Sequence, residues 1–344
     1  MKKNLNLSQS FLLALMLVFG SFIAQAQDEE EESPVLSISG SIDTYFRANL
    51  NSTNRGDNLG TQSPGTSFAN LPGFSLGMAN VILGMDGEKS GFVADLVFGP
   101  RGAEAVFGSG PSLNIVNQLY GYWNVNDNLT LTLGNFNTFL GYEVISPTAN
   151  FNYSTSYMFS YGPFSHTGMK ADITAGDVSM MFGVFNPTDM TDFNLTGKYF
   201  GGAQFGYSGQ YLNFLFGDDY FQVDYTGGFD LSDATYLGIN ATFNKDLFSG
   251  AALYLQQSFS DDFSLGLRGE YFSDVDDVVL AFDPTIDENV LAFTLSGNYT
   301  VGKLTFIPEF RVDAYSEDLV KPDEFEPDVQ SSLASFLVAA VYAF

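Results

Sequence analysis

The chain has 344 residues, with 40 acidic and 13 basic side chains and a formal net charge of −27 at pH 7. It contains no cysteine, which excludes disulfides, thiolate metal sites, cysteine nucleophiles and a lipid-modified N-terminal cysteine. The acidic excess disfavours nucleic-acid binding, which needs clustered Lys and Arg.

The first 34 residues are predicted to serve export rather than the fold. Lys2 and Lys3 precede a mostly apolar stretch, residues 11–23, and the sequence then reads Ala24-Gln25-Ala26. A basic start, an apolar stretch too short to span a bilayer and small residues two apart predict a cleavable signal peptide over 1–26. The run QDEEEESP, residues 27–34, is interpreted as a solvated acidic tail. Residues 35–344 are predicted to form a single transmembrane β-barrel.

Alternation with period two begins at Val35, and helical periodicity is almost absent. In the first segment, Ile38 and Ile42 share one parity, whereas Asp43 and Arg47 share the other. Such alternation predicts strands with one face for lipid and one for water. We predict sixteen strands, at 35–50, 72–86, 91–99, 112–124, 129–142, 165–175, 178–186, 199–207, 211–217, 220–230, 234–243, 251–258, 263–272, 289–300, 304–315 and 333–344.

The links between these strands indicate the fold class. Short links such as VNDN, TAGD, LSDA and VGK alternate with mostly longer ones, including 51–71, 143–164, 273–288 and 316–332. This alternation predicts an all-β, antiparallel barrel of the outer membrane, with periplasmic turns, extracellular loops and both termini on the periplasmic side. The short outer link FGDD keeps fourteen strands as an alternative. A soluble β-sandwich is disfavoured because 18 Tyr, 35 Phe and 1 Trp suit the aromatic girdles of a barrel.

The C-terminal segment SFLVAAVYAF reads as a last strand with an aromatic outer face and a smaller inner one. Phe344 ends this strand, as in other outer-membrane barrels. We interpret Tyr342 and Phe344 as part of the signal that the barrel-assembly machinery recognises.

Several stretches together resemble a known family. They are SGSIDTYFRANLN, FSLGMANVILG, GFVADLVFGPRG, YMFSYGPFSHTGMKADIT, FGVFNPTDM and LTFIPEFRVDAYSED. They resemble the OmpL-like β-barrel porins, or beta-barrel porin-2, of Bacteroidetes-type bacteria, over about Ser37 to Phe344. The resemblance implies a porin in the outer membrane of a Gram-negative bacterium and supplies no substrate. A homotrimer is a further expectation, because sixteen-strand porins are commonly trimers.

Charged residues of inward parity are the candidate pore lining. Arg or Lys on the lipid face costs about 2–4 kcal/mol near the midplane, so these charges are expected in the lumen. They either brace the wall in pairs or set the field in the pore. Their excess of acids predicts weak cation selectivity. The candidates are Asp43, Arg47, Lys170, Asp172, Arg268, Glu270, Glu309, Arg311 and Asp313.

The link 143–164 is the candidate constriction loop. Its only charge is Glu143, and in sixteen-strand porins the corresponding loop folds inward. An aromatic segment is costly to leave in water, so we expect it to pack against the inner wall. Its aromatic candidates are Phe151, Tyr153, Tyr157, Phe159 and Tyr161.

No catalytic residues, cofactor or metal site are predicted. The single histidine, His166, is interpreted as a polar contact rather than as part of a hydrolase triad. The sequence therefore predicts a porin for passive diffusion of small hydrophilic solutes through a water-filled lumen. The alternative is a structural or adhesive barrel that acts through its extracellular loops. Expected partners are outer-membrane lipid, lipopolysaccharide, the barrel-assembly machinery and small solutes.

Overall fold

Sixteen antiparallel strands form a closed barrel in which each strand pairs with its neighbours in the chain and β1 pairs with β16. The computed structural model describes residues 35–54, 63–110, 114–192, 194–275, 289–318, 320 and 329–344. The predicted signal peptide and acidic tail lie outside the described residues. The strands are β1 (Leu36–Asn49), β2 (Gly73–Asp86), β3 (Ser90–Phe98), β4 (Val116–Asn126), β5 (Leu129–Asn137), β6 (Ser165–Ala175), β7 (Val178–Phe185), β8 (Phe200–Tyr207), β9 (Gln210–Phe216), β10 (Phe221–Ser232), β11 (Thr235–Asn244), β12 (Phe248–Ser258), β13 (Phe263–Asp274), β14 (Asn289–Val301), β15 (Leu304–Tyr315) and β16 (Ser332–Ala343).

The two ends of the barrel differ in their connections. One end, the turn end, carries short turns such as 127–128 and 302–303 and the chain ends of β1 and β16. The other end, the loop end, carries links such as 50–72 and 138–164, although the links 217–220 and 245–247 are short there too. The predicted sixteen-strand topology is therefore confirmed, and the fourteen-strand alternative is excluded because the strands flanking the link 217–220 are both present and paired.

Two short helices in the links were not predicted. They are α1 (Pro100–Ala105), between β3 and β4, and α2 (Tyr157–Tyr161), between β5 and β6. The prediction for β5 is also too long, because the chain leaves the sheet after Asn137, where Thr138 N–H donates to Phe164 C=O at 2.9 Å. No helix among the described residues is long and apolar enough to cross a membrane.

The predicted alternation of faces is confirmed in both terminal strands. In β1, the residues of odd number from Ser41 to Asn49 are buried, whereas Ile42 is exposed. In β16, residues of odd number from 333 to 341 are buried on the inner face. The outer surface keeps large apolar side chains exposed, as lipid contact requires.

Segments from three links fill the barrel mouth at the loop end. Phe68, from the link between β1 and β2, packs with Val106 next to α1 and with Phe159 of α2 against Met78 and Val97 of the wall. Inner-face residues near the loop end are therefore buried. Towards the turn end they are exposed or half-buried, as at Ser39, Gln256 and Thr300. The lumen is thus narrowed from the loop end and open at the turn end.

The seam between β1 and β16 extends to the last residue. Ser41 pairs with Ala343, and beyond this pair Gly40 and Phe344 exchange two backbone hydrogen bonds of 3.2 and 3.0 Å. Any side chain at position 40 would meet the Phe344 ring and the Asn80 carbonyl, so the ring lies against a glycine.

Deleting Phe344 should lower the yield of assembled barrel several-fold, because both terminal hydrogen bonds of the closing seam and the aromatic ring are lost. The measurement is the amount of heat-modifiable protein in outer-membrane fractions. Phe344→Ala keeps the backbone pair and removes only the ring, so it separates closure of the seam from recognition of the ring. Normal abundance of the deletion variant would contradict the prediction.

Candidate functional site

The inner loop, residues 138–164, lies inside the barrel and is bound by its backbone to the wall. Its amides meet carboxylates of inward parity on β13 and β15. Glu270 accepts hydrogen bonds from Tyr157 N–H and Met158 N–H at 2.9 and 2.8 Å. Glu309 accepts one from Tyr153 N–H at 3.0 Å. Glu270 and Glu309 are both buried, so water does not reach the point where they meet the loop. Their carboxylates therefore provide the hydrogen-bond acceptors for the N–H groups in and just before α2.

Arg268 binds the carbonyls of the same stretch. Its guanidinium donates to Ser154 C=O at 2.7 Å and Thr155 C=O at 3.3 Å, and to Thr294 Oγ1 at 3.0 Å. It also forms an ion pair of 2.5 Å with Glu143 of the inner loop itself. Arg268 and Glu143 are both buried, so neither charge can be left unpaired without a large desolvation cost.

Arg311 approaches Thr155 C=O as well, at 2.8 Å, while pairing with Asp313 at 2.7 Å. The two arginines therefore meet at one carbonyl of the loop, each with its own carboxylate. Such a cluster places four carboxylates and two guanidinium groups close to the loop and fixes the position of the loop through short, charge-assisted hydrogen bonds. We call it the ionic cluster; its members are Glu143, Arg268, Glu270, Glu309, Arg311 and Asp313.

A second set of contacts holds the start of the bound stretch. The Tyr153 hydroxyl donates to Asp43 Oδ2 at 2.5 Å, and Met78 N–H donates to Asp43 Oδ1 at 3.0 Å. A side chain at Gly77 would collide with the Asp43 carboxylate, so glycine is required there. Arg101 of α1 donates to Tyr153 C=O at 3.3 Å and stacks over the Tyr153 ring at 5.2 Å.

The predicted pore-lining residues fall into two groups. Seven lie on the inner face and are at most 7% exposed: Asp43, Arg47, Arg268, Glu270, Glu309, Arg311 and Asp313. The expectation that they face water is corrected, because the inner loop, and for Arg47 the link between β1 and β2 at Asn70, occupies that space and needs polar partners. Lys170 and Asp172 remain accessible, with side chains 25% and 41% exposed, and form an ion pair of 2.9 Å.

The predicted aromatic residues of the loop are placed by these contacts. Tyr153, Tyr157 and Phe159 are buried, and Phe151 and Tyr161 are half-buried. Tyr157 stacks near Phe272 of β13, with 5.5 Å between the ring centres, and its hydroxyl lies 3.0 Å from that of Tyr315. The aromatic side chains thus fill the gaps between the polar contacts.

Charged residues are distributed unevenly among the strands; we call β13 to β1 the charged half and β4 to β12 the neutral half, with Asp86 of β2 and Asp95 of β3 between them. From β13 through β16 to β1, the strands contain eight charged residues: Arg268, Glu270, Asp274, Glu309, Arg311, Asp313, Asp43 and Arg47. From β4 to β12 they contain four: Lys170, Asp172, Asp224 and Asp230. Of these, Asp224 is buried and accepts hydrogen bonds from Asn213, Asn240 and the backbone of Gly141.

An aromatic cluster lies at the loop end of the neutral half. Its buried members are Phe136, Leu140, Met181, Phe185 and Leu215, with Phe139, Phe200, Tyr120 and Tyr220 packed around them. His166 lies among these rings, 5.1 Å from Phe139 and 5.0 Å from Phe185 between ring centres, and its Nε2 is 2.9 Å from Thr138 Oγ1.

Three contributors to the site were not identified from the sequence. Asp95 and Asp224 have inward parity, which could have identified them. Asp95 accepts hydrogen bonds from the side chains of Asn117 and Gln118. Arg101 lies in a link, where alternation carries no information about direction. No group of three or more potential metal ligands occurs among the residues that the structure describes.

A closed barrel of sixteen antiparallel strands, with an apolar outer surface and a link folded into its lumen, defines the class of outer-membrane porins. The model of the OmpL-like beta-barrel porin-2 family matches residues 35–344, and the chain belongs to this family. It is therefore a porin of the Gram-negative outer membrane.

Solved porins share the fold at low sequence identity. An anion-selective porin from Comamonas acidovorans is 11% identical with a TM-score of 0.60, over 90% of this chain and all of that one. The trimer form of in-vitro folded OmpT from Vibrio cholerae is also 11% identical, with a TM-score of 0.52, over 91% of this chain and all of that one. A mutant of the Rh. blastica porin is 12% identical with a TM-score of 0.52, over 90% and 100%. No curated protein matches the sequence.

Replacing Arg268 by Ala should lower the free energy of unfolding by about 3–5 kcal/mol, because Glu143 is left as an unpaired buried charge. Adding Glu143→Gln should recover part of this loss. The measurement is urea unfolding in lipid vesicles, followed by heat modifiability. As a matched control, Lys170→Ala breaks a partly exposed pair and should cost less than about 1 kcal/mol. Equal losses for Arg268→Ala and Lys170→Ala would contradict the role of the ionic cluster.

Proposed function

We propose that this porin is a constricted channel for passive diffusion of small hydrophilic solutes, with the inner loop setting its bore. The observation that carries the proposal is the binding of the loop backbone by the ionic cluster on one half of the wall. A loop held in this way narrows the lumen permanently. The remaining cross-section lies along the neutral half, where Tyr120, Lys170 and Gln204 are half-buried near the middle of their strands.

In this proposal, solutes pass along the neutral half of the wall, and the aromatic cluster is the narrowest section of that route. Its rings leave the path apolar at the loop end, and an apolar constriction conducts only when water fills it. Small side-chain rotations of half-buried members such as Phe139 would widen it. A low conductance with frequent closures is the expected behaviour.

We assign no catalytic role to the barrel. His166 is buried, and its recorded polar contact is with the hydroxyl of Thr138, whereas a hydrolase triad requires a nucleophile and a carboxylate beside the imidazole. We further propose a homotrimer, for which the trimer form of OmpT is the precedent among similar folds. Recognition of Tyr342 and Phe344 by the assembly machinery, and contacts with lipid and lipopolysaccharide, complete the proposed partners.

A structural or adhesive barrel is the second candidate, because the inner face is buried near the loop end. A barrel whose lumen never opens would act only through its outer surface and loops. Recordings from purified protein in planar bilayers distinguish the two candidates. Channels support the porin, and their complete absence supports the closed barrel.

Deleting residues 148–160 should raise single-channel conductance several-fold, because it removes α2 and the stretch bound to the ionic cluster. Shortening the exposed link at 194–198 by a few residues is the control and should leave the conductance unchanged. If the 148–160 deletion has the conductance of the unmodified protein, the inner loop does not set the bore.

Ion selectivity should depend on Lys170 and not on the buried arginines. The unmodified channel should prefer cations weakly, and Lys170→Gln should strengthen this preference by leaving Asp172 alone in the path. Arg47→Gln is the control and should change little, because Arg47 is buried and donates to Asn70 C=O of the link between β1 and β2. The readout is the reversal potential in a salt gradient, and the effect should fade with salt as screening shortens to a Debye length of about 10 Å at 0.1 M. A clear anion preference of the unmodified protein would contradict this charge assignment.

A further inference from the structure

Tyrosines on the inner face of the neutral half lie across glycines of the same face. Tyr211 of β9 shares the parity of the buried Asn213 and pairs with Gly206 of β8. A side chain at Gly206 would have its Cβ 2.7 Å from Cε1 of this ring. The ring therefore lies along the wall, over space that a glycine leaves free.

The same arrangement recurs on the next hairpin. Tyr236 of β11 covers Gly228 of β10, and any side chain at Gly228 would collide with its hydroxyl. Tyr142 of the inner loop covers Gly238, where a Cβ would lie 2.6 Å from its Cζ. Tyr142 also stacks on Tyr254 of β12, with 4.2 Å between the ring centres. These rings form one aromatic strip on β9 to β12.

A third case lies on β4, at the other edge of the neutral half. Tyr122 is directly opposite Gly91 of β3, and a side chain there would collide with the tyrosine hydroxyl. Tyr122, Tyr236 and Tyr142 are half-buried, and Tyr211 is 37% exposed, so each side chain keeps part of its surface accessible. Tyrosine rings laid flat on a wall present their faces to whatever occupies the lumen.

Most polar groups around these rings are neutral, but Asp230 of β10 has the parity of Gly228, is exposed and pairs directly with Tyr236. Gln118, Gln204 and Gln256 are half-buried on the inner face of β4, β8 and β12 and carry amides that both donate and accept hydrogen bonds. The Lys170 charge is compensated by Asp172 2.9 Å away. The concentrated charges of the barrel are covered by the inner loop. A neutral solute therefore finds hydrogen-bonding amides beside the rings, whereas an anionic solute also meets the carboxylate of Asp230.

We propose that the aromatic strip of Tyr142, Tyr211 and Tyr236, with the neighbouring amides, is a binding path for neutral saccharides. This inference rests on the proposed porin function and names its substrate class. Pyranose rings have apolar C–H faces that pack on flat aromatic rings, and hydroxyl rims that exchange hydrogen bonds with amides and phenols. Rings spaced along β9 to β12 bind successive sugar units weakly enough for them to move on.

The test is block of ion current by a neutral probe in planar bilayers containing the unmodified porin. The probe is a linear glucose trimer, compared with a galacturonate trimer of equal length. The neutral trimer should block the current, with a half-blocking concentration well below that of the acidic one. Equal block by both trimers, or no block by the glucose trimer, overturns the proposal while the channel itself stands.

Single substitutions test whether the aromatic strip is the saccharide-binding path. Tyr236→Ala should raise the half-blocking concentration roughly two- to tenfold, the range expected for losing one aromatic contact of about 0.5–1.5 kcal/mol. Tyr236→Phe keeps the ring and its fold and should show a smaller rise. Tyr299→Ala removes a tyrosine from the lipid-facing surface, where it is 51% exposed, and should leave the block unchanged. Unchanged block in Tyr236→Ala overturns the assignment of the strip.

Failure of the porin function has a separate signature, namely no current before any saccharide is added. In that case calorimetric titration of the glucose trimer into the detergent-solubilised barrel reads binding directly. Binding that weakens in Tyr236→Ala supports the strip in a closed barrel, and no binding to the unmodified protein overturns it.

Discussion

A peptide segment placed inside a barrel must find partners for its amides and carbonyls, and this constraint organises the whole lumen. The stretch from Tyr153 to Met158 meets it through carboxylates that accept from its N–H groups and arginines that donate to its carbonyls. Since each buried charge needs a counter-charge, acids and bases accumulate together on β13, β15 and β1. The position of the inner loop therefore determines where the buried charges lie on the wall.

These buried charges are concentrated on one half of the wall, and the strands of the other half contain only Lys170, Asp172, Asp224 and Asp230 as charged residues. Where charges are absent, the wall consists of glycines, amides and tyrosines. A glycine in a strand weakens it by leaving nothing to pack, and a ring laid over the gap restores contact. Gly206 pairs with Tyr211, so the same ring both packs over the glycine in the sheet and lines the lumen.

Alternation along the strands was enough to predict the fold, because a lipid face and a lumen face impose period two on every strand. The aromatic content of the link after the fifth strand, together with the inward loop of other sixteen-strand porins, placed that link inside the barrel. Alternation placed Arg268, Glu270 and Arg311 on the inner face. It did not predict that this link covers those charges, because alternation gives the direction of a side chain and not what lies in front of it. Arg101 and α1 were missed since links have no such period, and the glycine-tyrosine pairs require the register between strands, which the sequence does not state.

The wall residues of the ionic cluster that bind the backbone of the inner loop come late in the chain. Tyr157 and Glu270 are 113 residues apart, and Tyr153 and Glu309 are 156 apart. Contacts between residues so far apart in the sequence contribute favourable free energy only after most of the chain is in place, so they form at the last stage of folding. A barrel that lacks its C-terminal strands has no complete ionic cluster, and the amides of Tyr153, Tyr157 and Met158 then lack the carboxylates that accept from them. The bore of the channel is therefore set only after the barrel has closed. A narrow channel indicates that the C-terminal strands are in place.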